Sequence, residues 1–426
     1  MHISELYKIF LQYPSVQTDT RKLKPGDIFF ALKGDNFNGN IFAKQAIESG
    51  AAYCVIDEVE FEITGKTILV DNVLNTLQQL AKYHREEFTI PFLAITGSNG
   101  KTTTKELIHA VLSSTYKTYT TEGNLNNHIG IPLTILKVKK DAEFAVIEMG
   151  ANHLKEIEGY CQYAMPTHGL ITNCGKAHLE GFGSEEGVRK AKGELFDYLR
   201  ANNGTAFIMN DYTYLHEMSK GISRVIQYGT SGSATEGGVA DTDTQLTVEI
   251  TKGSFIGKIK TQLVGDYNFP NVLAAVAIGN YFKVPAEKIK ASIENYIPSN
   301  SRSQLIERGT NKIILDAYNA NPSSMKLAIE NFAKLNAEKK ILILGAMAEL
   351  GKETEQEHRL IISLISKFKW DDVILVGENF KNLNPPYKSF STSNDAREWF
   401  KQQNIQDASI LVKGSRSTQM EKVIAE

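Results

Sequence analysis

The chain has 426 residues but only three cysteines, Cys54, Cys161 and Cys174, and none is in C-x-x-C spacing. Cysteines so few and odd in number favour a reducing compartment and argue against a structural zinc site. Each reads as a small buried hydrophobe rather than a nucleophile. No apolar run approaches the roughly 20 residues needed to span a bilayer. The opening Met1-His2-Ile3-Ser4-Glu5 lacks a basic stretch followed by an apolar one, so the expected location is cytoplasmic. Neither sign of charge is in large excess. The net charge of −2 gives no bulk attraction to nucleic acid or to an anionic membrane, and neither is an expected partner. No G-x-G-x-x-G follows a strand pattern, which removes the case for a nicotinamide or flavin cofactor. There is no internal repeat and no low-complexity tract.

What is present is an ordinary globular composition, 42% hydrophobic and 23% charged, in a chain too long for one core. The spacing predicts an α/β protein of three domains, at 1–88, 89–298 and 299–426. The first has strands at Ile28–Leu32, Ala52–Ile56 and Thr67–Val70, with helices at Ile41–Ser49 and Asn72–Glu87. In the second, strands at Thr118–Thr120, Phe144–Ile147, Gly169–Thr172 and Thr205–Met209 alternate with helices, one at Glu185–Leu199. That alternation implies a mostly parallel sheet covered on both faces. Residues 230–264 turn Gly-, Ser- and Thr-rich, and Gln245–Ile250 alternates strictly, which predicts an appended antiparallel hairpin. A helix containing Val272, Leu273, Val276 and Ala277 follows. After a linker at 298–301 comes a Rossmann-like unit. Its strands are at Lys312–Leu315, Lys340–Leu344, Val373–Val376 and Ser409–Val412, and its helices at Ser323–Leu335, Glu353–Phe368 and Asn394–Gln402.

The stretch Phe92 to Thr104, FLAITGSNGKTTT, carries the strongest chemical signal. An apolar run of β-formers ends in a glycine-rich turn, and a helix pattern opens behind it. Backbone N–H groups and the helix dipole then face an anion, Lys101 adds a point charge, and a Thr hydroxyl can hold Mg²⁺. The longer phosphate-loop pattern fails because its first glycine position is Ile95, leaving the T-G-x-x-G-K-T form. Nucleotide binding is expected at Thr96, Gly97, Ser98, Asn99, Gly100, Lys101, Thr102 and Thr103. Glu148 ends the next strand pattern, at the edge where open parallel sheets bind ligands, and could hold a metal carried by ATP. His178 lies just past the following strand, and a lone histidine there is more often structural. Lys192, in Arg189-Lys190-Ala191-Lys192, reads on spacing alone as part of a solvated basic face.

These segments occur in order with Gly123-Asn124-Leu125-Asn126-Asn127, Ala191-Lys192-Gly193-Glu194, Asn271, Tyr318-Asn319-Ala320-Asn321-Pro322, Met347-Ala348-Glu349-Leu350-Gly351 and Lys413-Gly414-Ser415-Arg416. Together they resemble the Mur ligases of bacterial cell-wall synthesis over essentially the whole chain. The loop, Glu and His segments are shared with the wider family, which includes folylpolyglutamate synthase. The Tyr-Asn-Ala-Asn-Pro and Met-Ala-Glu-Leu-Gly stretches resemble the member that adds D-alanyl-D-alanine.

The resemblance implies an ATP-dependent amide ligase acting on UDP-N-acetylmuramoyl-tripeptide and D-alanyl-D-alanine through an acyl phosphate. A sister Mur ligase or a folylpolyglutamate synthase-like enzyme is the alternative. It implies two Mg²⁺ ions, with Thr102, Glu148, His178 and a CO₂-carbamylated Lys192 as ligands, and Lys101, His178 and Lys192 as catalytic residues. It places Asn271 at the adenine and Asp316 at the ribose. Asp19, Thr20, Arg21 and Asn38 fall to the UDP-sugar, though Asp19 and Arg21 also read as a paired surface loop. Arg302, Asn319 and Asn321 fall to D-alanyl-D-alanine, and Tyr318, also a substrate-binding position, reaches back with Asp316 toward the nucleotide. The protein is expected to be monomeric. Three departures stand out: Tyr267-Asn268 where relatives often have His-Asn, Leu315 in place of a first aspartate before Asp316, and Gly175-Lys176-Ala177 in place of Gly-Pro-Ala.

Overall fold

The computed structural model describes residues 2–230, 234, 236–242, 245–254, 256–299 and 301–425. Asn300 of the expected linker lies outside them, as do parts of 230–264. Among the described residues no helix is long and apolar enough to cross a membrane.

The chain forms three α/β units. In the first, Val16–Gln17, Ile28–Phe30, Tyr53–Ile56 and Thr67–Leu69 make a parallel sheet in that order. The middle sheet begins at one edge with Thr118–Thr120 and runs through Phe144–Glu148, Phe92–Thr96, His168–Ile171 and Thr205–Met209 to Arg224–Gly229, all parallel. Glu236–Thr242 continues it in parallel, and Gln245–Lys252 and Lys258–Val264 then pair antiparallel. The third sheet runs Gln304–Arg308, Asn311–Asp316, Ser409–Lys413, Lys340–Gly345, Asp372–Val376, Lys388–Phe390, with only its first junction antiparallel.

The mostly parallel plan is as the spacing predicts, with the appended antiparallel segment one strand larger than the expected hairpin. Helix Ile3–Gln12, whose apolar face carries Leu6, Tyr7 and Phe10, was not expected, nor were the helices Glu156–Ala164 and Ala286–Glu294, strand Arg224–Gly229 and edge strands Gln304–Arg308 and Lys388–Phe390. Residues 41–42 close a short 3₁₀ turn, so the expected helix at Ile41 starts at Ala43.

Phe92–Thr96 has Phe144–Glu148 on one side and His168–Ile171 on the other. The chain order reverses there, so the loops after these strands diverge and leave a crevice at their carboxyl ends. Strand Phe92–Thr96 is buried along its whole length, as a strand covered on both faces must be. The core is continuous from Leu6 and Phe10 through Leu77 and Leu80 into Phe92, Leu107 and Val272, so the first unit is welded to the middle one. The third unit has a separate core on each face of its sheet, and Leu179 and Val264 of the middle unit pack into one of them.

Candidate active site

The turn after Phe92–Thr96 is built by two glycines. Gly97 has φ 141° and Gly100 φ 80°, both in the region that L-residues avoid. A Cβ at Gly97 would sit 2.0 Å from Thr172 Oγ1, and one at Gly100 2.7 Å from Asn271 Oδ1. The loop is pinned on its far side: Asn173 O accepts from Ser98 N at 2.8 Å, and Ser98 Oγ donates to Gly175 O at 2.8 Å. The Asn99 N–H is taken as well, by Asn173 Oδ1 at 3.1 Å, and the start of helix Lys101–Ser113 faces a cavity of about 820 Å³. Lys101 folds back, its Nζ donating to Gly97 O at 2.5 Å and Ser98 O at 3.2 Å. Burial lowers the Lys101 pKa from its usual value; nearby Glu148 opposes that shift and Arg302 adds to it.

Glu148 is 1% exposed. Its Oε1 accepts from Asn126 Nδ2 at 2.7 Å and from Thr102 Oγ1 at 3.2 Å, while its buried Oε2 has no partner. An orphaned carboxylate oxygen beside a phosphate loop fits a hard cation, since burying it unpaired is otherwise costly. Among the described residues no three His, Cys, Asp or Glu side chains gather as a complete metal site. A Mg²⁺ ion here would therefore be completed by phosphate oxygens and water, its usual habit.

Lys192 is 1% exposed, which overturns the reading of a solvated basic face. It occupies an inner slot of helix Glu185–Ala201 with Val188, Ala191, Leu195 and Phe196, all buried. That i, i+3, i+4 placement was legible in the sequence, behind the distraction of Arg189 and Lys190. Its Nζ donates to Ala151 O at 3.0 Å and lies 4.9 Å from the Phe182 ring. Ala151 lines the cavity and Lys192 does not. Burial, reinforced by the Lys101 charge, lowers the Lys192 pKa to about 7.

The third unit closes the cavity. Asn321 Nδ2 donates to Asn99 Oδ1 at 2.8 Å, Ser323 Oγ accepts from Lys176 N at 3.0 Å, and Lys176 Nζ bonds Glu357 Oε1 at 2.8 Å. His178, at φ 51°, turns its Nδ1 to within 2.5 Å of Glu349 Oε2, and that contact holds the Glu349 carboxyl below its usual range. Asp316 Oδ2 accepts from the buried Lys413 Nζ at 2.5 Å, and the Arg302 guanidinium stacks 3.6 Å from the centre of the Tyr318 ring. Asn271 Oδ1 accepts from Thr104 Oγ1 and its Nδ2 donates to Asn268 Oδ1, both at 3.0 Å, leaving one amide N–H free for a ligand.

Around this cavity the structure brings together Ser98, Asn99, Gly100, Lys101, Thr102, Thr103, Glu148, His178, Asn271, Arg302, Asp316, Tyr318, Asn319 and Asn321. Thr96 and Gly97 lie beneath it. Thr96 is fully buried and its Oγ1 donates to Met149 O at 2.8 Å, a structural bond. Asp19, Thr20, Arg21 and Asn38 are elsewhere, in the first unit. Arg21 is bound to Asp19 through Nε at 2.9 Å and Nη2 at 2.8 Å, with its side chain 87% exposed, and the pairing lowers the Asp19 pKa to about 2. Asn38 caps a 3₁₀ turn and donates to Glu58. Residues that the sequence reading quoted in its motifs but gave no role are Asn126, Glu349 and Lys413. The three cysteines are free and buried.

Three segments match the Mur ligase family: 12–85 its catalytic domain, 95–279 its middle domain, and 301–416 its glutamate ligase domain. The UDP-N-acetylmuramoyl-tripeptide–D-alanyl-D-alanine ligase of Bacillus subtilis is 34% identical, the match covering 96% of this chain and 92% of the relative. The Escherichia coli protein of the same name is 34% identical over 99% and 95%. A solved structure of the UDP-N-acetylmuramoylalanyl-D-glutamyl-2,6-diaminopimelate–D-alanyl-D-alanyl ligase from Acinetobacter baumannii is 28% identical. It superposes with a TM-score of 0.83 over 96% of this chain and 92% of that one.

Proposed function

This chain belongs to the Mur ligase family, and from that premise we propose that it joins D-alanyl-D-alanine to UDP-N-acetylmuramoyl-tripeptide at the expense of ATP, in peptidoglycan precursor synthesis. The observation that carries the reading is the unpartnered Glu148 Oε2, held beside Thr102 at the mouth of the phosphate loop.

The N–H groups from Gly100 to Thr103, at the end of the loop and the start of the helix, cradle the triphosphate, and Lys101 exchanges its two loop carbonyls for phosphate oxygens. Thr102 and Glu148 are the residues that would hold Mg²⁺, with Asn126 fixing the carboxylate. Bound Mg²⁺ would offset the repulsion between the triphosphate and the incoming carboxylate. The terminal carboxylate of the tripeptide attacks the γ-phosphorus, ADP leaves, and an acyl phosphate forms. The D-alanyl-D-alanine amine then attacks the carbonyl carbon, losing a proton as the C–N bond forms, and the C–O bond to phosphate breaks. Positioning and charge stabilisation carry most of this chemistry.

Lys192, lowered to about 7, is in large part an uncharged amine near neutral pH, the form that adds CO₂. The carbamate would put an anion behind the Ala151 wall, able to support a second Mg²⁺. His178, tied to Glu349, is placed to orient groups at the acyl phosphate. Asn271 serves the adenine and Asp316, steadied by Lys413, the ribose. Asp19, Thr20, Arg21 and Asn38 serve the UDP-sugar, which requires Arg21 to trade Asp19 for a phosphate. The domain assignment at 1–88, 89–298 and 299–426 follows the three substrates. Contacts from the third unit to Asn99, Lys176 and His178 support closure before chemistry, which keeps water from the acyl phosphate. Work as a monomer in the cytoplasm completes the reading.

A coupled phosphate-release assay with purified UDP-muramyl-tripeptide tests it. Release should require D-alanyl-D-alanine and fail with single amino acids; release with glutamate or D-glutamate alone would overturn the assignment.

A further inference from the structure

The two residues that would hold Mg²⁺ come from different elements, Thr102 from helix Lys101–Ser113 and Glu148 from the end of its strand. Mg²⁺ demands near-ideal geometry, so the spacing of the two decides how tightly it is held. One turn further along the same helix lies Lys105, which is fully buried. A buried ammonium is costly unless it is paired and hydrogen-bonded. Lys105 Nζ donates to Thr121 O at 2.6 Å and lies 2.7 Å from Glu106 Oε1. Glu106 is the exposed member of that pair, at 35% against 1% for Lys105, so the pair alone gives no reason for the ammonium to turn inward. The carbonyl gives one. Thr121 is itself fully buried, and a buried carbonyl needs a donor.

Thr121 is the root of the loop that cradles Glu148. Its N–H donates to Val146 O at 3.1 Å, and its Oγ1 accepts from Glu148 N at 3.0 Å. Further along the loop, Asn126 Nδ2 donates to Glu148 Oε1 at 2.7 Å and Asn126 O accepts from Gly150 N at 2.8 Å. The loop therefore grips Glu148 by its backbone and by its carboxylate. Thr102 and Lys105, at i and i+3, share a face of their helix. The first reaches the Glu148 carboxylate directly, and the second reaches the loop that holds it.

We propose that Lys105 is a positioning residue for the metal. By bracing Thr121 against the phosphate-loop helix it fixes Glu148 relative to Thr102, and so sets the affinity for the divalent cation that the nucleotide carries. Lys105 does not line the cavity and acts only through Thr121. The inference rests on the reading of Thr102 and Glu148 as the residues that hold Mg²⁺.

The test is calorimetric titration with a non-hydrolysable ATP analogue, with and without Mg²⁺. In the unaltered protein Mg²⁺ should tighten the analogue about tenfold or more, metal and nucleotide favouring each other by the same factor. Lys105→Met should lose most of that gain and keep its metal-free affinity. Thr121→Val, which removes the hydroxyl under Glu148 N and keeps the carbonyl, should lose it too, and Thr121→Ser should retain it. Both cut one path, so the double variant should lose little more than either alone. A full Mg²⁺ gain in Lys105→Met, even at a lowered melting temperature, would overturn the proposal and leave Lys105 a purely structural residue. So would equal weakening with and without the metal. Should Lys105→Met not fold, Thr121→Val decides: a full gain there overturns the proposal, and a loss that Thr121→Ser does not share upholds it. No Mg²⁺ gain in the unaltered protein would instead refute the parent reading of Thr102 and Glu148.

Discussion

Asn321 Nδ2 donates to Asn99 Oδ1 across 2.8 Å, tying the start of a third-unit helix to the phosphate loop. The same side chain caps that helix, its Oδ1 accepting from Ser324 N at 2.9 Å. One residue thus reports to the loop whether the third unit is docked. Asn321→Asp separates the roles, because the carboxylate still caps but can no longer donate to Asn99. Ligase kcat/KM should fall about tenfold, in line with a lost hydrogen bond plus a new repulsion, while the melting temperature stays within a degree or two. Steady-state kinetics and thermal melts check this; full activity would mean that the contact plays no part in the working state.

Glu148 sets stability against function. Its Oε2 is buried without a hydrogen-bond partner, so in the protein alone the carboxylate charge is only partly compensated, by Asn126, Thr102 and the nearby Lys101. Glu148→Gln removes that charge and keeps the shape. In the metal-free protein the variant should melt higher, by an amount corresponding to about 1–3 kcal/mol, while ligation falls by about a hundredfold or more. Calorimetry and phosphate release read the two effects. A lower melting temperature would show that the carboxylate is already satisfied.

The phosphate loop was legible because everything that makes it is local: an apolar strand, two glycines whose φ values no other residue tolerates well, and a helix behind them. Glu148 was legible by its place at a strand end. The lid was not. Asn99 and Asn321 are 222 positions apart and Lys413 and Asp316 97 apart, distances over which periodicity says nothing about contact. Lys192 was misread from its neighbours, since Lys190 does face water and Arg189 is half-buried over the Tyr214 ring. Only its phase relative to Val188 and Leu195 betrays burial. The Asp19–Arg21 motif was legible as a pair and equally consistent with a surface loop, and without ligand the pairing is what forms.

Lys192 links activity to pH through its amine. Burial and the nearby Lys101 charge lower its pKa to about 7. Below that value the amine is protonated and cannot add CO₂; above it the amine is free to do so. Ligase activity in CO₂-depleted buffer should therefore fall as pH drops through about 7, and added bicarbonate should extend the active range to lower pH. Lys192→Ala should bind ATP and fail to ligate. Isotope-labelled bicarbonate gives an activity-independent readout, a carbamate resonance present in the unaltered protein and absent in Lys192→Ala. A pH profile indifferent to bicarbonate would defeat the prediction.

Lys176, in the turn that leads to His178, has a partner in the third unit. Its Nζ lies 2.8 Å from Glu357 Oε1, and the pair is unequal: the Lys176 side chain is 38% exposed and that of Glu357 only 5%. Glu357 raises the lysine pKa, as expected for a cation gaining a partner. Because the carboxylate is the buried member, removing Lys176 should hurt more than removing both. Lys176→Met leaves an unpaired buried charge, which loosens the third unit and raises KM for ATP, whereas Lys176→Met with Glu357→Met lets two apolar side chains meet and recovers most of the loss. The coupling in a double-mutant cycle should be about 1 kcal/mol or more and should change little with salt, since exposed pairs are screened and buried ones much less so. If the coupling vanishes at moderate ionic strength, the pair is a surface contact and closure rests on the other contacts of the third unit, among them Asn99–Asn321, His178–Glu349 and Lys176 N–Ser323 Oγ.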